Sequence, residues 1–117
     1  MSETDQYTGK PTSGTVTVAN DAQLSDAYPL HGTTLVAFET PAAITGTTYT
    51  FHGSIDNGQT YVEVRNQLGS AIAFTGVTAS GVYPLDPRDF IAFDKIKVNT
   101  GTNEGAERVI KLKAFAI

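Results

Sequence analysis

The stretch 51–64, Phe-His-Gly-Ser-Ile-Asp-Asn-Gly-Gln-Thr-Tyr-Val-Glu-Val, constrains this chain more than any other. Asp56-Asn57-Gly58 separates two runs of alternating side chains. Asn-Gly is the pair that a type I′ turn favours. Both central residues need positive φ, which Asn tolerates and Gly adopts freely. Before the turn, Tyr49, Phe51 and Ile55 fall on one face, and Thr48, Thr50, His52 and Ser54 on the other. After it, Val62 and Val64 alternate with Tyr61, Glu63 and Arg65. A period of two specifies strands. The expectation is a hairpin with Ile55, Val62 and Val64 on its buried side.

The same period recurs along the chain. Strands are expected over 15–19, with Val16 and Val18 inward, and over 23–30, 33–40, 47–56 and 59–65. Short pieces at 71–75 and 77–79 are broken by Gly76, and 81–85 leads into the turn Asp86-Pro87-Arg88-Asp89. In 90–98, Ile96 and Val98 share a face opposite Lys95 and Lys97. In 108–116, Ile110, Leu112 and Ala114 point in, Lys111 and Lys113 out. About eight short strands with turn signals between them are the pattern of an antiparallel sandwich or barrel. No segment reads as a helix of more than one turn.

A chain of 117 residues makes one domain, here 14–117, large enough for a sandwich core without staples. It has no cysteine, which removes disulfides and thiolate chemistry. The net charge of -4 argues against nucleic acid and anionic membrane as partners, since both attract a basic field. The nearest thing to a basic cluster is Lys95, Lys97, Lys111 and Lys113, which reads as solvated strand faces. The polar, acidic N-terminus lacks the apolar core of a signal peptide. Residues 1–13 read as a polar arm in which only Tyr7 can bury much area. Such a segment does not offset its ordering entropy alone. It orders against another chain or along its own domain, and the candidate partner contacts are Tyr7, Lys10 and Pro11.

Chemistry is hard to find. His31 and His52 are far apart and fit no metal-ligand spacing. Asp86 and Asp89 flank Arg88, and Asp56 lies in the hairpin turn, where Asp commonly bonds its own backbone. Residues 56–59 lack the ligand spacing and closing Glu of a calcium loop. There is no Gly-x-Ser-x-Gly elbow and no phosphate cradle. The expectation is a protein that is not an enzyme, with no catalytic residue, metal or cofactor. Tyr7, Tyr28, Tyr49, Tyr61 and Tyr83 offer stacking surfaces for sugars, or fill the core.

Four stretches carry a resemblance. They are Val16-Thr17-Val18-Ala19-Asn20 with Gln23-Leu24-Ser25; 50–61, Thr-Phe-His-Gly-Ser-Ile-Asp-Asn-Gly-Gln-Thr-Tyr; 82–90, Val-Tyr-Pro-Leu-Asp-Pro-Arg-Asp-Phe; and 96–102 followed by 107–112. In their order and spacing the chain resembles small structural proteins of tailed bacteriophages, of the capsid decoration or cement type. It departs from them in having Asp-Asn-Gly where Asp-Gly is usual, and Ile91-Ala92-Phe93-Asp94 where a Gly-containing link is common. The resemblance implies a jelly-roll β-sandwich in the virion, made in the host cytoplasm and placed on the outer capsid surface. Its partners would be the major capsid protein and further copies of itself, as homodimer or homotrimer. A second reading, on the same fold, is a carbohydrate- or receptor-binding or adaptor module of a phage tail or baseplate. It would use loops 41–46, 67–70 and 99–105 and exposed tyrosines.

Overall fold

A computed structural model describes residues 11–116. The strands are β1 (Pro11–Val18), β2 (Tyr28–Pro29), β3 (Thr33–Glu39), β4 (Tyr49–Ser54), β5 (Val62–Glu63), β6 (Ala73–Phe74), β7 (Val82–Pro84), β8 (Lys95–Asn99) and β9 (Arg108–Ala116). One 3-10 turn, Pro87–Asp89, is capped by the Asp86 carboxylate, which accepts from the Arg88 amide. The strands form two antiparallel sheets, in the orders β1-β9-β3-β7 and β2-β8-β4-β5, with β6 beside the other half of β4. First pairs with ninth, second with eighth, third with seventh, and fourth with fifth and sixth. That nesting is a long hairpin rolled into a sandwich, the jelly roll that the sequence resemblance implies.

Alternation accounts for the core. Val16, Val18, Ile110, Leu112, Ala114, Leu35 and Phe38 from the first sheet meet Tyr49, Phe51, Val64, Ile96 and Val98 from the second, all buried. The polar residues between them face water, which antiparallel sheets allow on one side. The Tyr49 hydroxyl is buried with no hydrogen-bond partner among the described residues. Burial first, and the Glu104 charge second, push its pKa up to about 12, so it stays neutral.

Asn57 and Gly58 take φ of 60° and 92°, and the Gln59 amide donates to the Asp56 carbonyl, so the expected turn forms. The strands around it are shorter than expected. Register pairs His52 with Glu63 and Gly53 with Val62, leaving 55–61 as a loop. Ile55 therefore lies beyond the strand and is 74% exposed, a correction to its inward assignment. Val62 also needs correcting, at 57% exposed. It sits opposite Gly53, where a Cβ would fall on the Phe93 ring. Phe93 fills that end of the core and leaves Val62 at the rim. Val64, whose amide bonds the Phe51 carbonyl, is fully buried.

Placing an unpaired carboxylate at Val64 costs several kcal/mol, of the order of the net stability of a small domain. Val64→Asp is expected to abolish cooperative thermal unfolding, and Val62→Asp to keep the melting temperature within a few degrees of wild type. A reversed order would overturn this placement of the two side chains.

Two other expectations shift. The strand expected over 23–30 shrinks to Tyr28–Pro29 and an isolated bridge at Leu24. β1 starts at Pro11, so Pro11, Thr12 and Ser13, read from the sequence as arm, pair with Phe115, Ala114 and Lys113. Tyr7 and Lys10 lie outside the described residues. Pro11 is exposed at the start of β1.

Candidate functional site

An open, shallow feature lies on the outer face of the four-stranded sheet. Register places Thr15, Lys111, Glu39 and Val82 in one row across β1, β9, β3 and β7. Ser13, Lys113, Ala37 and Pro84 form the next row. A shallow, open trough of about 540 Å³ runs over these rows, with Gly14, Leu112 and Phe38 between them. Small side chains at Ser13, Thr15 and Ala37 leave the depression, and Lys111 and Lys113 stand out of it. Lys111 faces Glu39 across the ladder, yet neither lysine is among the ion pairs of the described residues, Arg65–Glu63, Arg88–Asp86 and Arg108–Glu104. Both lysines are exposed. Val82 and Val109 add exposed apolar area to the same face.

The sequence places Lys111 and Lys113 outward correctly, because β9 alternates without a break. It gives no sign that Ala37, Glu39 and Val82 would join them. Lys95 and Lys97 lie on the other sheet, half-buried, with the Lys97 Nζ 4.4 Å from the Tyr61 ring centroid. The four lysines thus divide between opposite sides of the sandwich.

The remaining candidates are occupied by local structure. The Asp56 Oδ1 accepts from the Ser54 hydroxyl at 2.6 Å and from the Thr60 amide at 2.9 Å. These bonds, Ser54 first, hold its pKa down to about 2. Asp56 is thus the organiser of its own turn. The Ser54 hydroxyl also accepts from the Gly58 amide, which explains a serine that is buried where the strand pattern expects it outside. Asp86 binds Arg88 through both carboxylate oxygens, at 3.2 and 2.8 Å. Those bonds lower its pKa, while burial and the Asp86 charge raise that of Asp89. His31 sits exposed in a turn at φ 48°, and His52 is half-buried on a strand between Glu63 and Lys97. Among the described residues no three His, Asp or Glu converge on a point where a metal would sit.

The tyrosines are spoken for in the same way. Tyr49 is fully buried, and Tyr83 stacks on Phe38 and binds the Thr78 amide through its hydroxyl. Tyr61 lies under Lys97, and Tyr28 lies against Gly14. Tyr28, Tyr61 and Tyr83 are half-buried and do not stand clear of the surface.

The cluster that sequence reading missed is at the β8–β9 loop. Glu104 is fully buried, and its carboxylate accepts from the amides of Thr45 and Gly46, each at 2.8 Å, and from the Arg108 Nε at 3.1 Å. Its own main chain bonds Asp21 and Ala22. One residue, through its carboxylate and its main chain, therefore ties three loops together at one end of the fold. A Glu in a Gly- and Thr-rich loop carries no local signal of this.

No protein-family model and no curated protein matches the chain. Solved structures do. The SPBc2 prophage-derived protein YomS aligns with a TM-score of 0.57 at 10% identity, over 92% of this chain and 96% of YomS. The Yersinia pseudotuberculosis-derived mitogen aligns over 93% of this chain and 87% of its own, at 11% identity and a TM-score of 0.40. Clostridium perfringens CpGH89 aligns over 81% of this chain and 11% of its own, at 13% identity and 0.41. The likeness to YomS is one of fold; the other two, at their lower scores, carry no argument.

Proposed function

We propose that this chain is a bacteriophage virion structural protein that decorates the outer surface of the head and braces it where capsid subunits meet. The observation that carries the reading is the end-to-end fold likeness to a prophage-derived protein of nearly the same extent. The motif order in the sequence supports it independently. So does the form of the open face, which is broad and shallow and carries Lys111, Lys113 and Glu39. Such a face suits contact with another protein surface, whereas a small-molecule site is a deeper, more enclosed cleft. The partner is the major capsid protein. Many weak contacts repeated over a lattice supply avidity without a deep pocket.

The test is co-sedimentation of the purified protein with undecorated heads of its own virus. Saturable binding at a small fixed number of copies per capsid subunit is expected. Reversing both exposed lysines, Lys111→Glu with Lys113→Glu, is expected to weaken binding at least tenfold without changing the melting temperature. Removal of residues 1–10 is expected to weaken it too, and the cut stops there because β1 begins at Pro11. Absence of binding to heads would sink the decoration reading and turn attention to the tail and to glycans.

A further inference from the structure

The loop between β4 and β5 holds its main chain more closely than an exposed loop requires. Every amide from Asp56 to Thr60 has an acceptor. Those of Asp56 and Gly58 donate to the Ser54 Oγ, at 3.3 and 2.8 Å. That of Asn57 donates to the Asp94 Oδ2 at 3.0 Å, that of Gln59 to the Asp56 carbonyl at 3.4 Å, and that of Thr60 to the Asp56 Oδ1 at 2.9 Å. Asp56, Asn57, Gln59 and Thr60 are exposed, so water would satisfy most of these amides as well. Burial does not explain the set.

The dipeptide at its centre does. Asn57 is the only asparagine of the chain that a glycine follows. Asparagine is chemically labile, and most so before glycine, where no Cβ crowds the next nitrogen. That nitrogen attacks the asparagine side-chain carbonyl carbon. The side-chain amide leaves as ammonia, taking the proton that the attacking nitrogen loses, and a succinimide ring closes. Water then opens the ring at either carbonyl. One product is aspartate, and the other is isoaspartate, whose main chain runs through the former side chain.

Ring closure needs the Gly58 nitrogen to give up its proton and turn toward the Asn57 side chain. Its N–H is committed to the Ser54 Oγ instead. The Ser54 hydroxyl is itself fixed, because it donates to the Asp56 Oδ1 at 2.6 Å. With its pKa held down to about 2, Asp56 stays ionised at the neutral and alkaline pH where closure runs. The peptide unit before Asn57 is pinned by Asp94 and the one after it by Ser54. We propose that Asn57 is a latent self-modification site, held shut by the Ser54–Asp56 clasp, and that it converts to aspartate and isoaspartate only when the turn opens. The conversion needs nothing but water. It is also one-way. The new carboxylate joins those of Asp56 and Asp94, which already hold the turn, and isoaspartate lengthens a main chain whose five amides are fitted to fixed acceptors. Converted chains are therefore expected to melt below unconverted ones.

The inference concerns a single chain and stands or falls apart from the decoration reading. The test is incubation of the full chain at mildly alkaline pH, folded and in guanidinium chloride, with residue 57 followed by peptide-mapping mass spectrometry. The folded chain is expected to convert at least about tenfold more slowly than the unfolded one, since only opened turns react. Ser54→Ala removes the acceptor of the Gly58 amide. It is expected to bring the folded rate to within about threefold of the unfolded one. Asp56→Ala frees the Ser54 hydroxyl and the Thr60 amide at an exposed position, and is expected to speed conversion several-fold. It decides the matter if Ser54→Ala does not fold. Equal rates in the folded and unfolded wild type, an Asn57 that stays intact even when unfolded, or a folded clasp variant that converts no faster than wild type would each overturn the proposal.

Discussion

Glu104→Ala is expected to cost about 3–5 kcal/mol of folding stability, the penalty for removing one partner of a buried ion pair. The side chain is 0% exposed and Arg108 is 16% exposed. Truncation leaves the amides of Thr45 and Gly46 without acceptors and the Arg108 guanidinium without its counter-charge. The site does not refill easily, because a Cβ at Gly46 would fall on the Thr100 carbonyl, so the loops are already in close contact. Arg108 also donates to the Thr45 hydroxyl at 3.1 Å, so the loss spreads into the β3–β4 loop. Glu104→Gln keeps the shape but turns an amide donor toward protein donors, and is expected to cost about 2–3 kcal/mol. Urea unfolding curves give both values, and a shift under about 1 kcal/mol for Glu104→Ala would overturn the account.

The same carboxylate sets a pH dependence. Burial pushes its pKa up, but the amides of Gly46 and Thr45 and the guanidinium of Arg108 outweigh burial and hold it below the ordinary glutamate range. A folded pKa below the unfolded one contributes stability that is complete above the ordinary value, about 4.3, and is lost as pH falls through the folded value. Asp56 and Asp86 shift in the same direction. Stability is therefore expected to be flat near neutrality and to fall below about pH 4. In Glu104→Gln that fall is expected to be shallower, since one of the three carboxylates shifted downward is gone.

Phe38→Ala is the second large effect, an expected loss of about 3–5 kcal/mol from a domain whose total is about 5–15. Phe38 is 1% exposed and lies between two rings, Tyr49 at 5.5 Å and Tyr83 at 5.1 Å, each inclined by 14°. Phe51 and Phe74 approach it edge-on, at 5.6 and 5.2 Å. One truncation removes four ring contacts and opens a cavity between the sheets, lined by aromatic side chains too rigid to collapse into it. Phe38→Leu fills part of the space and is expected to lose less than half as much. A Phe38→Ala protein that melts within a few degrees of wild type would show that the ring cluster does not hold the two sheets together.

What the sequence determined by itself was local. Val16 and Val18, Ile96 and Val98, and Ile110, Leu112 and Ala114 are buried as their alternation requires, because a strand has a fixed period of two. Asn57 and Gly58 turn where their tolerance of positive φ allows it. The tertiary structure decided everything that depends on where an element ends and what stands across from it. Val62 and Ile55 continue the apolar pattern of their strands but lie past the rim of the sandwich, where Phe93 has taken the space. Ser54 is buried because its hydroxyl is used by the turn that follows it. Glu104 finds its partners at Thr45 and Gly46, nearly sixty residues away, through the nested pairing of the strands. Alternation says which way a side chain points; only the packed sheets say whether anything is there to meet it.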